Sequence, residues 1–556
     1  METKATLILK NGTIQTMVGD ETAQAVAVCG SEIIYVGDDA GAEAFAGEDT
    51  KVIDLEGKYV SPGFIDGHTH EVMYLIDEDT TFFFETVEPK LEVYKEAFAK
   101  FVAERPDNEM YYGNSLDMNA FPEGFVTNDW ITEICPDKPV CITDMSQHCF
   151  LMNAKALEMA GIDRNTPVPD GANIFKHSDG EPTGFVADAM AFMGKLPARE
   201  RTQKKYHDAF LKFQDTCNSY GITAVDIAGP TIPAEQAWEV FHDMEEAGEL
   251  KVRVNCTIMS FTEAVVNKER GREYVKLLDE GQKYNSDFQR VSQAKGIIDG
   301  VPEAKSARLM EPYAPEAGEA ADYIGPVYID PEDLKGFTEV VNGAGYQVQI
   351  HAMGDGGVHY ALDAYEHSWK VNGEGDYRNM IAHVTLIKPE DVKRMAELKV
   401  IGTMQPLWWY YDPNFSPLEE QNFGTERFKT EYHIREMMDA GIMITGSMDY
   451  PVQPDYRPLA GIQVGATQSS PYPGQCDDPA YVRNADQAVT AREMLECYTT
   501  NGAFEMKMED LIGTIEVGKK ADMVVLEQNI LDCPVKTISE TKICCTIMNG
   551  EVVYEG

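Results

Sequence analysis

The chain has 556 residues, enough for a large buried core and for more than one domain. Its 93 acidic and 47 basic side chains leave a formal net charge of −46, spread along the chain. That balance argues against nucleic acid and anionic membranes as partners.

The first dozen residues read as a strand running into an Asn11-Gly12 turn rather than as a signal peptide. Strands are predicted at Thr6–Leu9, Gln24–Cys29, Ile33–Val36 and Lys51–Asp54. The last segment reads the same way, with a strand at 521–526 and an Asn549-Gly550 hairpin turn leading into Val552-Val553-Tyr554. Two strand-rich ends predict one small β-sandwich domain built from residues 1–58 and 512–556.

Residues 59–511 alternate short apolar runs with helical patterns such as 391–398 and 435–440. Strands are predicted at 59–65, 223–227, 252–258, 296–298, 347–350, 380–382, 400–404 and 442–445. Such an alternation predicts an α/β fold, a (β/α)8 barrel. The interval from about 71 to 221 is far longer than one β–α step. It reads as a large insertion after strand 1, a lid with its own strand at 140–143 and a helix near 154–160. No apolar stretch approaches the roughly 20 residues that span a bilayer. Eleven cysteines, an odd number without a Cys-x-x-Cys pair, read as reduced thiols in a cytoplasmic protein.

The strand at 59–65 runs into Asp66-Gly67-His68-Thr69-His70. Side chains at i and i+2 share a face of an extended strand, so His68 and His70 project together and can grip one metal ion. Further polar residues follow other apolar runs: His351 after 347–350, His383 after 380–382, and Asp449 after 442–448. In a parallel barrel these are the strand ends where active sites lie. Lys295 precedes the run 296–298 and Asp299 follows it, so spacing alone leaves either as a candidate.

As an ordered set, several motifs make the chain similar to the metal-dependent amidohydrolase superfamily, in the large-insert branch (amidohydrolase family 3) that includes N-substituted formamide deformylase-like enzymes. They are the 62–70 motif, His148 with 153–157, Pro182-Thr183-Gly184, Lys295 with Asp299-Gly300, 351–355, Ala382-His383, Ser447-Met448-Asp449, 501–503 and 512–522. The resemblance implies that His68, His70 and Asp449 hold one divalent ion and that His351 and His383 hold a second. It implies Lys295 as the bridge, carried as a carbamate formed with carbon dioxide. Imidazole and carboxylate ligands suit zinc first, with iron or manganese as alternatives.

The implied activity is hydrolysis of a non-peptide C–N bond in a small-molecule substrate, an amide, an N-formyl or N-acyl amine or a cyclic amide, by a metal-activated hydroxide. Asp449 is then the catalytic residue, taking the proton of the attacking group and passing it to the leaving nitrogen. One alternative is a mononuclear deaminase or cyclic-imine hydrolase of the same superfamily, against which Gly354 counts, since deaminases usually carry glutamate there. Another is a non-catalytic binding relative. The resemblance is also compatible with a homodimer.

His148 is the candidate substrate contact from the insertion, against a plain helix-entry role. Trp408 and Trp409 form a candidate aromatic wall for an apolar substrate group, or else core or dimer surface. Phe82-Phe83-Phe84 carries the same ambiguity. Asp355 reads as a brace for the His351 loop.

Overall fold

The computed structural model describes residues 4–121, 126–146, 148–168, 172–187, 192, 194–197, 199–259 and 266–556. Parts of the 71–221 insertion and the first three residues therefore lie outside the described residues.

Two all-parallel sheets occupy the middle of the chain. One runs in the order Gln289–Arg290, Arg253–Cys256, Ile222–Ile227, Phe64–Thr69. The other runs Gln293–Ile297, Gln347–Ala352, Met380–His383, Ile401–Met404, Ile444–Gly446. An isolated parallel bridge, Ile258 with Ala294, joins them at one seam. At the other seam the Asp449 amide donates to the His68 carbonyl at 3.0 Å, without a ladder between the described strands. Helices between the strands cover the outer faces. Helix Pro331–Gly343 starts where Asp330 accepts from the Glu332 and Asp333 amides, with proline at its first position.

The expected strand at 59–65 is two strands. Tyr59–Pro62 pairs with Thr13–Gln15 and Met523–Leu526, whereas Phe64–Thr69 joins the parallel sheet. Gly63 sits at the break, where a Cβ would meet the Thr223 side chain at 2.2 Å. Lys295 lies inside its strand rather than ahead of it.

Both termini build two further sheets. The first orders Glu32–Gly37, Ala25–Cys29, Leu7–Lys10, Lys51–Asp54. The second orders Glu551–Glu555, Ile543–Met548, Met523–Leu526, Tyr59–Pro62, Thr13–Gln15, Thr22–Ala23. Leu9, Val26 and Val28 of the first share one buried cluster with Ile14, Val60, Val525 and Ile547 of the second. Asn549 and Gly550, at φ 53° and 84°, form the expected turn. The Arg253 guanidinium, wholly buried, binds Asp522 through two contacts of 2.7 and 2.9 Å and so fastens the parallel sheet to the terminal strands.

Residues 71–221 carry their own six-stranded mixed sheet, and Val140–Asp144 and helix Ala154–Ala160 fall where expected. Asn153 caps that helix and also accepts from the Val140 amide at 3.0 Å. Phe84 is buried against Tyr94, Phe98 and Trp130, and Phe82 against Phe98 and Phe101, so both form the insertion's core. Phe83 turns to the other face, against Tyr74. All eleven cysteines are free thiols. Among the described residues no helix is long and apolar enough to cross a membrane.

Candidate metal centre

His68 and His70 stand on the strand end Phe64–Thr69 and just beyond it, and Asp449 follows the strand Ile444–Gly446. Asp66 ties these ends together, its Oδ1 accepting from the His68 amide at 3.1 Å and the Met448 amide at 3.2 Å. The His70 amide donates to the Tyr450 carbonyl at 2.7 Å. The result places Asp449 Oδ1 at 3.5 Å from both His68 Nε2 and His70 Nε2. One ligand atom from each residue lies within 4.8 Å of the others, all three residues being buried.

Burial lowers the pKa of His68 and His70 well below the usual histidine range, and the neighbouring Lys295 charge adds to this. Neutral imidazoles offer lone pairs, and buried Asp449 Oδ1 has no hydrogen-bond partner. Two imidazole nitrogens and an unpartnered carboxylate oxygen converging in a buried site are a donor set that a divalent ion fits.

Lys295 Nζ is 3.1 Å from His68 Nε2, at the middle of the group. Burial pulls its pKa down, against the opposing Asp449 charge, and pushes that of Asp449 up. The His383 ring lies 5.3 Å from that of His68 and 4.4 Å from that of His351, centroid to centroid. Burial lowers the His383 pKa to about 3 and that of His351 well below its usual value.

Two residues of the group have left-handed backbone. His383 and Asp449 take φ of 80° and 55°. Left-handed backbone at non-glycine residues costs on the order of 1–3 kcal/mol each and persists where surrounding bonds over-determine it.

Asp299, the spacing alternative to Lys295, has another task. It accepts from the amides of Arg308, Met353 and Gly354 at 2.8, 3.0 and 2.9 Å, bracing the loop after His351. Burial pushes it up to about 7. Asp355 braces the same loop, accepting from the Met310 amide at 2.9 Å. A Cβ at Gly354 would lie 1.9 Å from the Arg308 carbonyl oxygen, so no side chain fits there without backbone movement.

The insertion brings His148 to the group, its ring centroid 6.5 Å from that of His351. Trp408 stacks on His383 at 5.5 Å and 23°, partly exposed. Trp409 is wholly buried in the hydrophobic core, so the pair does not form a continuous wall. Two residues escaped the sequence reading, Asp66 and Gln405, the latter holding His383 Nδ1 at 2.9 Å. Gln405 directly follows the strand Ile401–Met404, the same position that marked His383 and His351, but its amide does not announce chemistry.

Comparisons with known proteins give the family. The model of a family described as "Amidohydrolase family" matches residues 51–554. The chain is 27% identical over 566 aligned residues to the protein LONG AFTER FAR-RED 3 of Arabidopsis thaliana, covering 99% of this chain and 92% of that one. It is 24% identical to an N-substituted formamide deformylase of Arthrobacter pascens, covering 99% and 98%. A crystal structure of an uncharacterized metal-dependent hydrolase from Pyrococcus horikoshii superposes with a TM-score of 0.71 at 22% identity, covering 95% and 99%.

Proposed function

The chain belongs to the amidohydrolase family, and from that premise we propose that it is a metal-dependent hydrolase of a non-peptide C–N bond in an amide, an N-formyl or N-acyl amine, or a cyclic amide. The observation that carries the reading is the convergence of His68, His70 and Asp449 on one buried point. In this reading the two parallel sheets are the halves of a (β/α)8 barrel, residues 71–221 are its lid, and residues 1–58 and 512–556 form a composite β-sandwich domain.

His68, His70 and Asp449 hold one divalent ion, and His351 and His383 hold a second. Zinc is the first choice for these ligands. Such ions polarise a carbonyl and make water acidic enough to supply a nucleophile at neutral pH. Lys295, as a carbamate, would supply the ligand shared by the two sets. Burial favours its neutral amine, whose nitrogen lone pair forms a C–N bond to carbon dioxide while a proton leaves to solvent. The product carries one negative charge over two oxygens.

Asp449, its charged form disfavoured by burial, accepts a proton on its carboxylate and returns it to the leaving nitrogen. His148 contacts the substrate from the lid, and Trp408 offers an aromatic face to an apolar substituent while holding the His383 ring flat. Deamination is disfavoured because Gly354 leaves no space for the glutamate that would move its protons. Eleven free thiols support a reducing, cytoplasmic compartment.

Elemental analysis of protein purified without chelators tests the reading. About two equivalents of divalent metal per chain support the bridged pair. About one, unchanged after metal and bicarbonate are added, replaces it with a mononuclear site.

A further inference from the structure

The His383 ring is held at its edge and at its face by one short segment. Its Nδ1 lies 2.9 Å from Gln405 Oε1. Gln405 Nε2 donates to Ser447 Oγ at 2.8 Å and, more weakly, to the Thr403 carbonyl at 3.4 Å. Ser447 Oγ donates to the Met404 carbonyl at 3.0 Å. Gln405 is 1% exposed and Ser447 is 0% exposed, so no water competes for these bonds. The Gln405 carbonyl accepts from the Trp408 amide at 3.0 Å, and that turn sets the indole on the imidazole face.

The relay has one direction. A serine hydroxyl has one hydrogen, and the Met404 carbonyl, which only accepts, takes it. With that hydrogen on the Met404 carbonyl, Ser447 Oγ accepts from the Gln405 amide nitrogen, and the Thr403 carbonyl, which likewise only accepts, faces the same nitrogen. The amide oxygen is thereby turned to His383, and since it only accepts, the imidazole proton sits on Nδ1.

We propose that Gln405 is the positioning residue of this centre. Clamped by Ser447, it fixes His383 as the Nδ1–H tautomer with the Nε2 lone pair facing the other histidines. Because Ser447 lies two residues before Asp449, the same amide links the strand ends carrying His383 and Asp449. The role toward a metal rests on the reading of His383 as a ligand; the tautomer does not.

The test is long-range 1H–15N correlation NMR on metal-free protein with 15N-labelled histidine rings, the His383 signals being assigned by their loss in His383→Gln. The wild type should show protonated Nδ1 and bare Nε2. Gln405→Leu should lose that preference and bind the second zinc equivalent about 10- to 100-fold more weakly, while Gln405→Glu, which keeps an acceptor, should restore both. An Nε2–H tautomer in the wild type, or an unchanged tautomer in Gln405→Leu, overturns the proposal. Should Gln405→Leu fail to fold, Ser447→Ala replaces it: with only the weak Thr403 contact left on the amide nitrogen, the Nδ1–H preference should weaken and the tautomers mix, and a pure Nδ1–H form there overturns the relay through Ser447. A wild type with the Nδ1–H tautomer that binds no second ion sinks the two-metal reading and leaves the role of Gln405 standing.

Discussion

The parallel sheets bury many more charged and amide side chains than the terminal sheets do, with similar strands. Along the parallel strands Asp66, Asp226, Gln293, Lys295, Gln349, Thr403 and Thr445 are all buried. Asp226 accepts from Asn255, Thr257 and Gln293, and Glu505 from Thr403 and Thr445. The terminal sheets bury Leu9, Ile14, Val26, Val28, Val60, Val525 and Ile547 instead. Burial pushes Asp66 and Asp226 up to about 7, the mark of carboxyls removed from water at real cost. An apolar core is the less costly filling, as the terminal sheets show. A polar interior that converges on His68, His70, Lys295, His351, His383 and Asp449 is what the proposed site rests on, and the terminal core reads as its support.

The contrast can be broken most forcefully at Asp449. Asp449→Asn should lower turnover by about 10³-fold or more while the thermal transition stays near wild type. Near-normal turnover would remove Asp449 from the chemistry. Lys295→Ala should cost roughly 10²-fold, with part of the activity returned by metal plus a short-chain carboxylic acid occupying the missing carboxylate's position. Activity equal to wild type without additive would exclude the carbamate. The smallest effect on catalysis belongs to the support. Ile547→Ala should destabilise the fold by about 2–5 kcal/mol in denaturant titration and leave metal content per folded chain unchanged. Loss of metal from that variant while folded would show that the two regions are not separable in this way.

What was legible in the sequence was local. Two-residue alternation set His68 and His70 on one face, and short apolar runs located the strands that end in His351, His383 and Asp449. Helix Ala154–Ala160 and the Asn549-Gly550 turn were legible because their caps and turn residues lie within a few positions. Pairing partners were not. Nothing near Gly63 says that Tyr59–Pro62 bonds to Met523–Leu526, more than 450 residues away in sequence. The aromatic run at 408–409 was equally opaque, since one turn of 3-10 helix at Pro406–Trp408 sends Trp408 to His383 and leaves Trp409 in the core. Gln405 was missed because an amide gains a role only from the two residues that fix its orientation, and Ser447 is 42 positions on.

The Arg253–Asp522 pair has a consequence for the order in which the protein forms. Its partners are separated by 269 positions. At about 5–20 residues per second, synthesis delivers Asp522 roughly 13–54 s after Arg253. During that interval Asp287 is the acidic residue beside the guanidinium, its carbonyl accepting from Arg253 at 2.7 Å in the finished fold, and the surface later covered by Met523–Leu526 is open to water and to chaperones. The two contacts to the Asp522 carboxylate, which complete the pairing of this wholly buried charge, come only with the late segment. The same pair that fastens the finished molecule thus ties a strand from the middle of synthesis to one of the last segments made.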